Sequence, residues 1–323
     1  MLKKLVKPML FSLAAGISST ALASTYPEHP IRIVVPYAPG STGDLAIRQI
    51  QPLLTEELGQ PIIIENKSGA GGNIGAQYVA RAKPDGYTLL LGATNNFVIN
   101  QFLFTDLGYD PLIDLDPITK VVYVPAFIYI NAEVPAKNFA EFKDYAQRHP
   151  GQLNYGTPGA GTTPALSGWM LSEAIQGDMI EVSYRGSPPG VLALLANEVQ
   201  VYIGGYGIAS SHLESEKLRA LAVALPERYA ELPEVPTTKE VGIEDVVLSN
   251  WWGLAAPANT DPAILTQLEH ALHTVLQNTA LQNALSTQGF VVTSSTAQQF
   301  KEEMQSEASY WQTIIQKANL EVN

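Results

Sequence analysis

The sequence predicts an α/β protein of two lobes, and three observations carry that prediction. Short apolar, β-branched runs alternate with longer segments whose apolar residues recur at helical spacing. This alternation runs from residue 31 to 91 and restarts after Pro125 as an independent series. Each series contains a glycine-rich loop, 36–44 in one and 156–163 in the other, placed between a β-run and a helical segment. Such β–loop–α–β units are the grammar of a parallel sheet wrapped by helices. A chain of 323 residues is also long enough for about two domains.

Taken in order, residues 31–35 form a compact β-branched strand, followed by the turn-rich 36–43. Leu45, Ile47, Ile50, Leu53, Leu54 and Leu58 then mark a helix, and 62–64 a second strand. A glycine loop at 69–72, a helix over 74–82, the Pro84-Asp85-Gly86 turn and a strand over 87–91 complete the first series. The second series reads as strand 127–130, helix 139–148, strand 153–155, helix 163–175, strand 180–184, helix 191–196, strand 199–203 and strand 218–225. Two long helical patterns, 262–276 and 297–318, flank a short strand at 290–293. This tail has too few strands for a third domain and is expected to pack on the first lobe. The division expected is therefore 24–124 plus 250–323 for lobe 1 and 125–249 for lobe 2, with chain crossings at 122–125 and 246–250.

Composition excludes several functions. With 19 Lys and Arg against 31 Asp and Glu, the net charge is −12, the wrong sign for a general nucleic-acid or anionic-membrane binder. The chain has no cysteine, which removes disulfides, thiol nucleophiles and thiolate metal sites. The N-terminus carries Lys3, Lys4 and Lys7, an apolar stretch over 8–17 and the small-residue site Ala21-Leu22-Ala23. That pattern predicts a signal peptide over 1–23, cleaved after Ala23, and an exported mature chain.

The loop Pro36-Tyr37-Ala38-Pro39-Gly40-Ser41-Thr42-Gly43-Asp44 reads either as an anion seat at a helix N-terminus or as an ordinary turn capped by Ser41 or Thr42. The loop Gly156-Thr157-Pro158-Gly159-Ala160-Gly161-Thr162-Thr163 nearly spells a P-loop, but Thr162 stands where the lysine belongs, so a smaller and less charged anion fits better than a triphosphate. Two seats, one per lobe, suggest a ligand gripped between them. Gly69-Ala70-Gly71-Gly72-Asn73-Ile74-Gly75 has Ile74 where the dinucleotide fingerprint needs glycine. Thr94, Asn95 and Asn96 follow a strand and are expected to point into the same cleft, Gly204, Gly205 and Tyr206 follow another, and Arg185 with Ser187 offers a cation and a hydroxyl, a solvated or structural arginine being the other reading of Arg185. Trp251 and Trp252 are read as packing between lobes, with one of them as a pocket wall the alternative. The five histidines, His29, His149, His212, His270 and His273, fall in no metal or general-base pattern, and there is no G-x-S-x-G elbow. No cofactor is expected.

In order along the chain stand Pro36-Tyr37-Ala38-Pro39-Gly40, Gly69 to Gly75, Pro84-Asp85-Gly86-Tyr87, Gly156 to Thr162, Tyr184-Arg185-Gly186, Leu218 to Val223, Leu232-Pro233-Glu234-Val235-Pro236-Thr237 and Trp252-Gly253-Leu254. This succession resembles the periplasmic solute receptors of tripartite tricarboxylate transporters, the Bug-type binding proteins, over essentially the whole mature chain. The resemblance implies a two-lobed Venus-flytrap fold of type II-like order, with a cleft closing on a small organic carboxylate. It picks out Tyr37, Gly40, Ser41, Thr42, Asp44, Thr157, Gly161 and Thr162 as ligand-binding positions. To these the residues themselves add Asn95, Asn96, Arg185, Ser187, Gly205 and Tyr206. It further implies a monomer that delivers its ligand to a membrane permease of one large and one small subunit, with no catalysis. An exported hydrolase or lyase acting on a carboxylate is the alternative. The chain departs from the family pattern at Ser41, where another glycine is usual, at Pro164-Ala165, where His-Leu is frequent, and at Gln101, where proline is common. It also lacks an acidic residue near Gly204, so that end of the cleft is expected to be uncharged and roomy, with Tyr206 as an aromatic wall, favouring a dicarboxylate over an amino acid.

Overall fold

The computed structural model describes residues 26–243, 246 and 250–318; the signal peptide and part of the second predicted crossing lie outside the described residues. The first part of the chain gives β1 (Ile31–Val35), α1 (Thr42–Leu58), β2 (Ile62–Asn66), α2 (Asn73–Ala80) and β3 (Thr88–Ala93). A π-helical turn (Asn95–Ile99) runs into the short α3 (Asn100–Leu103), and β4 (Leu115–Tyr123) follows. The middle holds β5 (Phe127–Asn131), α4 (Phe139–Arg148), β6 (Asn154–Thr157), α5 (Thr163–Ile175), β7 (Ile180–Ser183), α6 (Ser187–Leu195), β8 (Val201–Gly204), α7 (Ser210–Glu214) and β9 (Leu218–Val223). The last part contains β10 (Trp251–Pro257), α8 (Pro262–Leu276), α9 (Thr279–Ser286), β11 (Val291–Val292) and α10 (Ala297–Ala318).

These strands form two sheets, ordered β11-β4-β10-β3-β1-β2 and β7-β6-β8-β5-β9. In each, a parallel trio comes first, with β1 between β2 and β3 and β6 between β7 and β8. An antiparallel strand then joins the trio, β10 on β3 and β5 on β8. The sheets are therefore mixed, where the sequence predicts parallel ones. Two strands escape sequence reading. Asp116, Pro117 and Lys120 interrupt the apolar run of β4, and Gly253 and Pro257 interrupt β10. Both nevertheless fit: Pro117 faces Ala255 beside a register shift, where a missing N–H does least harm to the ladder.

Strand alternation sends successive side chains to opposite faces, so each sheet is buried on both. Ile31, Ile33, Val35, Leu254 and Ala256 pack with α1, α8 and α9, while Val34, Leu90, Trp251 and Ala255 pack with α2 and α10. On the second sheet Ile128, Ile130, Val201 and Ile203 meet α4 and α5, and Phe127, Tyr129 and Tyr202 meet α6. At the junction of the two sheets, Val124 N–H donates to Asn250 O at 2.9 Å, so the segments entering and leaving the second sheet are tied to each other.

Candidate functional site

Three helices begin at one place. Ser41 and Thr42 of α1, Thr162 and Pro164 of α5, and Ser187 of α6 line a chamber of about 30 Å³, completed by Tyr37, Asn95, Asn250 and Trp252. Each helix follows the carboxyl end of a strand in a parallel trio, where open α/β sheets place their ligands. The amide ends of all three helices carry partial positive charge, so their convergence favours an anion. α1 comes from the first sheet, α5 and α6 from the second, so the chamber is built across the junction.

The hydroxyls at these helix starts are not equivalent. Ser41 has the extended backbone of an N-cap (φ −69°, ψ 162°) but its side chain makes no capping bond. Its Oγ is buried without a hydrogen-bond partner among the described residues. Thr162 does cap: its Oγ1 accepts from Ala165 N–H at 3.4 Å and donates to Gly159 O at 2.7 Å. A second chamber of about 10 Å³ shares Pro164 and Asn250 with the first and adds Thr163, Ser167, Gly204 and Gly205. Thr163 Oγ1, Asn250 Oδ1 and Trp252 Nε1 are also buried and unpartnered among the described residues. Buried polar atoms are rarely left so, and here four of them belong to residues that line two neighbouring chambers.

The remaining expected residues support the site or lie elsewhere. The Tyr37 hydroxyl is 2.8 Å from Asn95 Oδ1 and 3.1 Å from Asn96 Oδ1, and both asparagine amides donate to Gly71 O, at 2.8 and 3.3 Å. Burial pushes the Tyr37 hydroxyl above its ordinary pKa against those bonds, so it stays a neutral donor. Asn96 and these bonds thus fix the loop at Gly71. Asp44 accepts from Gly40 N–H (2.9 Å), Arg48 Nε (2.9 Å) and Asn66 Nδ2 (3.0 Å). Burial opposes its ionisation, but these bonds outweigh burial and hold its carboxyl below the usual value. Asp44 and the Gly40 amide are therefore occupied with each other and line neither chamber. Thr157 lies outside too, donating to Glu181 Oε1 at 2.9 Å. Gly161 (φ +73°) admits the Phe104 ring, which a Cβ would meet at 2.5 Å.

Tyr206, expected as an aromatic wall, lines neither of the two chambers nor the outer mouth. Its ring packs against Phe127 and Tyr229, with centroids 6.2 and 5.3 Å away, and the aromatic walls of the inner chamber are Tyr37 and Trp252, 5.3 Å apart edge-on. Nor is there spare room behind the two glycines: a Cβ on Gly204 would meet Ile208 at 2.6 Å and one on Gly205 would meet Val124 at 2.7 Å. Gly205 lines the second chamber only. Arg185 lies exposed in an outer mouth of about 590 Å³, which shares Tyr37 and Pro158 with the inner chamber. Above the chamber the lobes touch: a Cβ on Gly71 would lie 2.5 Å from Ala160 O, and one on Gly186 3.2 Å from Ala38 Cβ.

Sequence reasoning passed over Thr163, Pro164 and Asn250 as site residues and read Trp252 first as packing, with a pocket wall as the alternative. Trp252 does pack, against Gly43, where any Cβ would meet its ring at 2.1 Å, but it also lines the chamber, and its indole N–H is unpaired among the described residues. The available signal was the doubled threonine at the start of α5 and the asparagine beside a tryptophan pair at a chain crossing.

Residues 46–320 match the family model described as the tripartite tricarboxylate transporter family receptor. The chain is 33% identical over 304 residues to a UPF0065 protein of Bordetella pertussis, covering 94% of both chains. It is 30% identical over 309 residues to the protein BugT of the same organism, covering 95% of both. Among solved structures, the periplasmic binding protein BugD superposes with a TM-score of 0.87 at 30% identity, over 92% of this chain and 99% of that one. Rpa4515 of R. palustris, solved with adipate, gives 0.87 at 28% identity over 92% and 99%. MatC of Rhodopseudomonas palustris, solved with bound malate, gives 0.85 at 30% identity over 90% and 100%. Those binding proteins share its two-lobed α/β fold, and the chain belongs to the receptor family of tripartite tricarboxylate transporters, as a Bug-type solute-binding protein and not an enzyme.

Proposed function

We propose that this receptor closes on a small organic dicarboxylate and delivers it to a membrane permease of one large and one small subunit. One observation carries the reading: three helix N-termini, drawn from both sheets, end on a chamber whose Ser41 hydroxyl and Trp252 indole N–H have no partner among the described residues. A carboxylate there would accept from both donors and sit at the positive ends of three helices. The chamber has room for roughly two water-sized atoms, the size of one carboxylate group. A second carboxylate would point into the outer mouth toward Arg185, the cation among its lining residues.

Neither chamber nor the mouth is lined by an Asp or Glu among the described residues, so an ammonium group would be buried without a counter-charge at a cost of several kcal/mol. Amino acids are accordingly poor ligands in this reading. Adipate and malate in the neighbouring structures are of the favoured class. Export by cleavage after Ala23, a monomeric mature chain, and lobes bounded at 124/125 and 249/250 belong to the same proposal. Calorimetry with succinate, its monoamide and aspartate tests it. Succinate should bind tightest, and tightest binding by aspartate would overturn the ligand class.

A further inference from the structure

Two glycines, one from each side of the cleft, have room only for what the opposite side supplies. Gly71, just ahead of α2 on the first sheet, stands at φ +61°, and a Cβ there would lie 2.5 Å from the main-chain oxygen of Ala160. Gly161, which leads into α5 on the second, stands at φ +73°, and a Cβ there would lie 2.5 and 2.7 Å from two carbons of the Phe104 ring. Backbone angle and crowding both demand glycine at these positions. Phe104 is firmly mounted. Its N–H donates to Asn100 O at 3.0 Å, closing α3, and Asn100 Nδ2 donates to Asn73 Oδ1 at 2.5 Å, at the start of α2. Apolar side chains extend the contact. Leu166 belongs to α5, which covers the second sheet, yet it is buried in the apolar cluster of the first with Phe97 and Leu103. Phe104, Trp169 and Met170 pack against that same cluster.

Resting on the receptor reading, we propose that Phe104 is a positioning residue of the binding site: its ring, seated on Gly161, latches the lobes together and holds the start of α5 against the ligand chamber. Gly161 directly precedes Thr162, which caps α5 and lines the chamber. Whatever fixes Gly161 from across the cleft therefore fixes that helix end. Phe104 lines the outer mouth and not the chamber, so it acts on a carboxylate in the chamber through the loop and not by touching it. The ring meets Gly161 only while the lobes are together, and removing it from water favours that state. A contact made only in the closed form raises the closed fraction, to which apparent affinity is proportional. Ligand is then held more tightly with no additional ligand contact. Gly161 is glycine in order to receive an aromatic ring from the other lobe.

The chain has no cysteine, so a pair of labels can be placed cleanly. Glu57→Cys in α1 and Lys143→Cys in α4, both at exposed positions, carry nitroxides on the mature chain, and pulsed electron paramagnetic resonance reads the distance between the lobes. The free protein should show a closed population, and Phe104→Ala should lower its closed-to-open ratio about tenfold. Phe104→Leu keeps apolar bulk and should recover most of that ratio. Succinate affinity, read by calorimetry, should fall in step with the closed fraction, and saturating succinate should return Phe104→Ala to the closed distance. A free protein with no closed population overturns the latch. So does a distance distribution that Phe104→Ala leaves unchanged, which would make the ring a support for the core of the first lobe alone. If the free protein responds as expected while succinate fails to bind, the latch stands and the dicarboxylate reading falls.

Discussion

Ser41 occupies the position where a serine ordinarily bonds the first turn of its helix, yet its hydroxyl makes no bond to α1 and is left without a partner among the described residues, on a residue that lines the chamber. Replacing it with alanine therefore removes nothing from the helix. Ser41→Ala should leave thermal stability unchanged or slightly raised and weaken carboxylate binding about tenfold, as calorimetry paired with a melting curve would show. Thr162 is its opposite. Its hydroxyl is spent on Gly159 and Ala165, so Thr162→Val should cost about 1 kcal/mol of stability, read by denaturant unfolding, with a smaller effect on affinity than Ser41→Ala. The two strand–helix loops were legible in the sequence because glycine, proline and hydroxyl residues cluster there for few other reasons. Which hydroxyl is free was not legible. Ser41 and Thr162 are both N-caps in sequence terms, and only the side-chain rotamers separate the one that caps from the one that does not.

Among the elements, the parallel trios and the long helices α8 and α10 were readable, since their apolar residues keep a single period. The strands β4 and β10 were not, because Pro117, Lys120 and Gly253 break the pattern for reasons supplied by distant partners. Gly253 is there to admit Phe300 of α10, whose ring a Cβ would meet at 2.4 Å. α10 also brings Glu307 to β10, where its Oε1 accepts from Trp251 Nε1 at 2.9 Å. Burial pushes the Glu307 carboxyl up to about 7, aided by Glu303 and resisted by the Trp251 bond and Lys120. Because the folded state binds this proton more tightly than the unfolded chain, Glu307 stabilises the protein at low pH, and that contribution is lost as pH rises from about 4.5 to 7. Glu307→Gln keeps the acceptor and should flatten the fall of melting temperature across that window, a difference worth up to about 3 kcal/mol. An unaltered pH profile would show that the carboxyl titrates near its ordinary value.

For the whole molecule, both sheets share one plan: a parallel trio, then an antiparallel strand, then a second antiparallel strand beyond it. In each lobe the inner antiparallel strand, β5 or β10, follows directly on a crossing between the sheets. If the lobes turn about the two crossings around Val124 and Asn250, as proposed, ligand should compact the protein in small-angle scattering. The Gly71 loop is where the closed lobes meet. Gly71→Val, at φ +61° with its Cβ 2.5 Å from Ala160 O, should weaken binding and abolish that compaction. The position of β10 also bears on the order in which the chain can fold. Thr94, just past the end of β3, and its partner Trp251 in β10 are 157 residues apart, and β10 fills the gap between β3 and β4. While the chain is still emerging from the ribosome, the leading lobe has a hole through the middle of its sheet until residue 257 has been made. Contacts that distant form slowly, so the architecture itself delays the native state of the first lobe. A sheet whose middle strand is supplied by residues 251–257 therefore keeps the earliest hundred residues of the chain incomplete until late in synthesis.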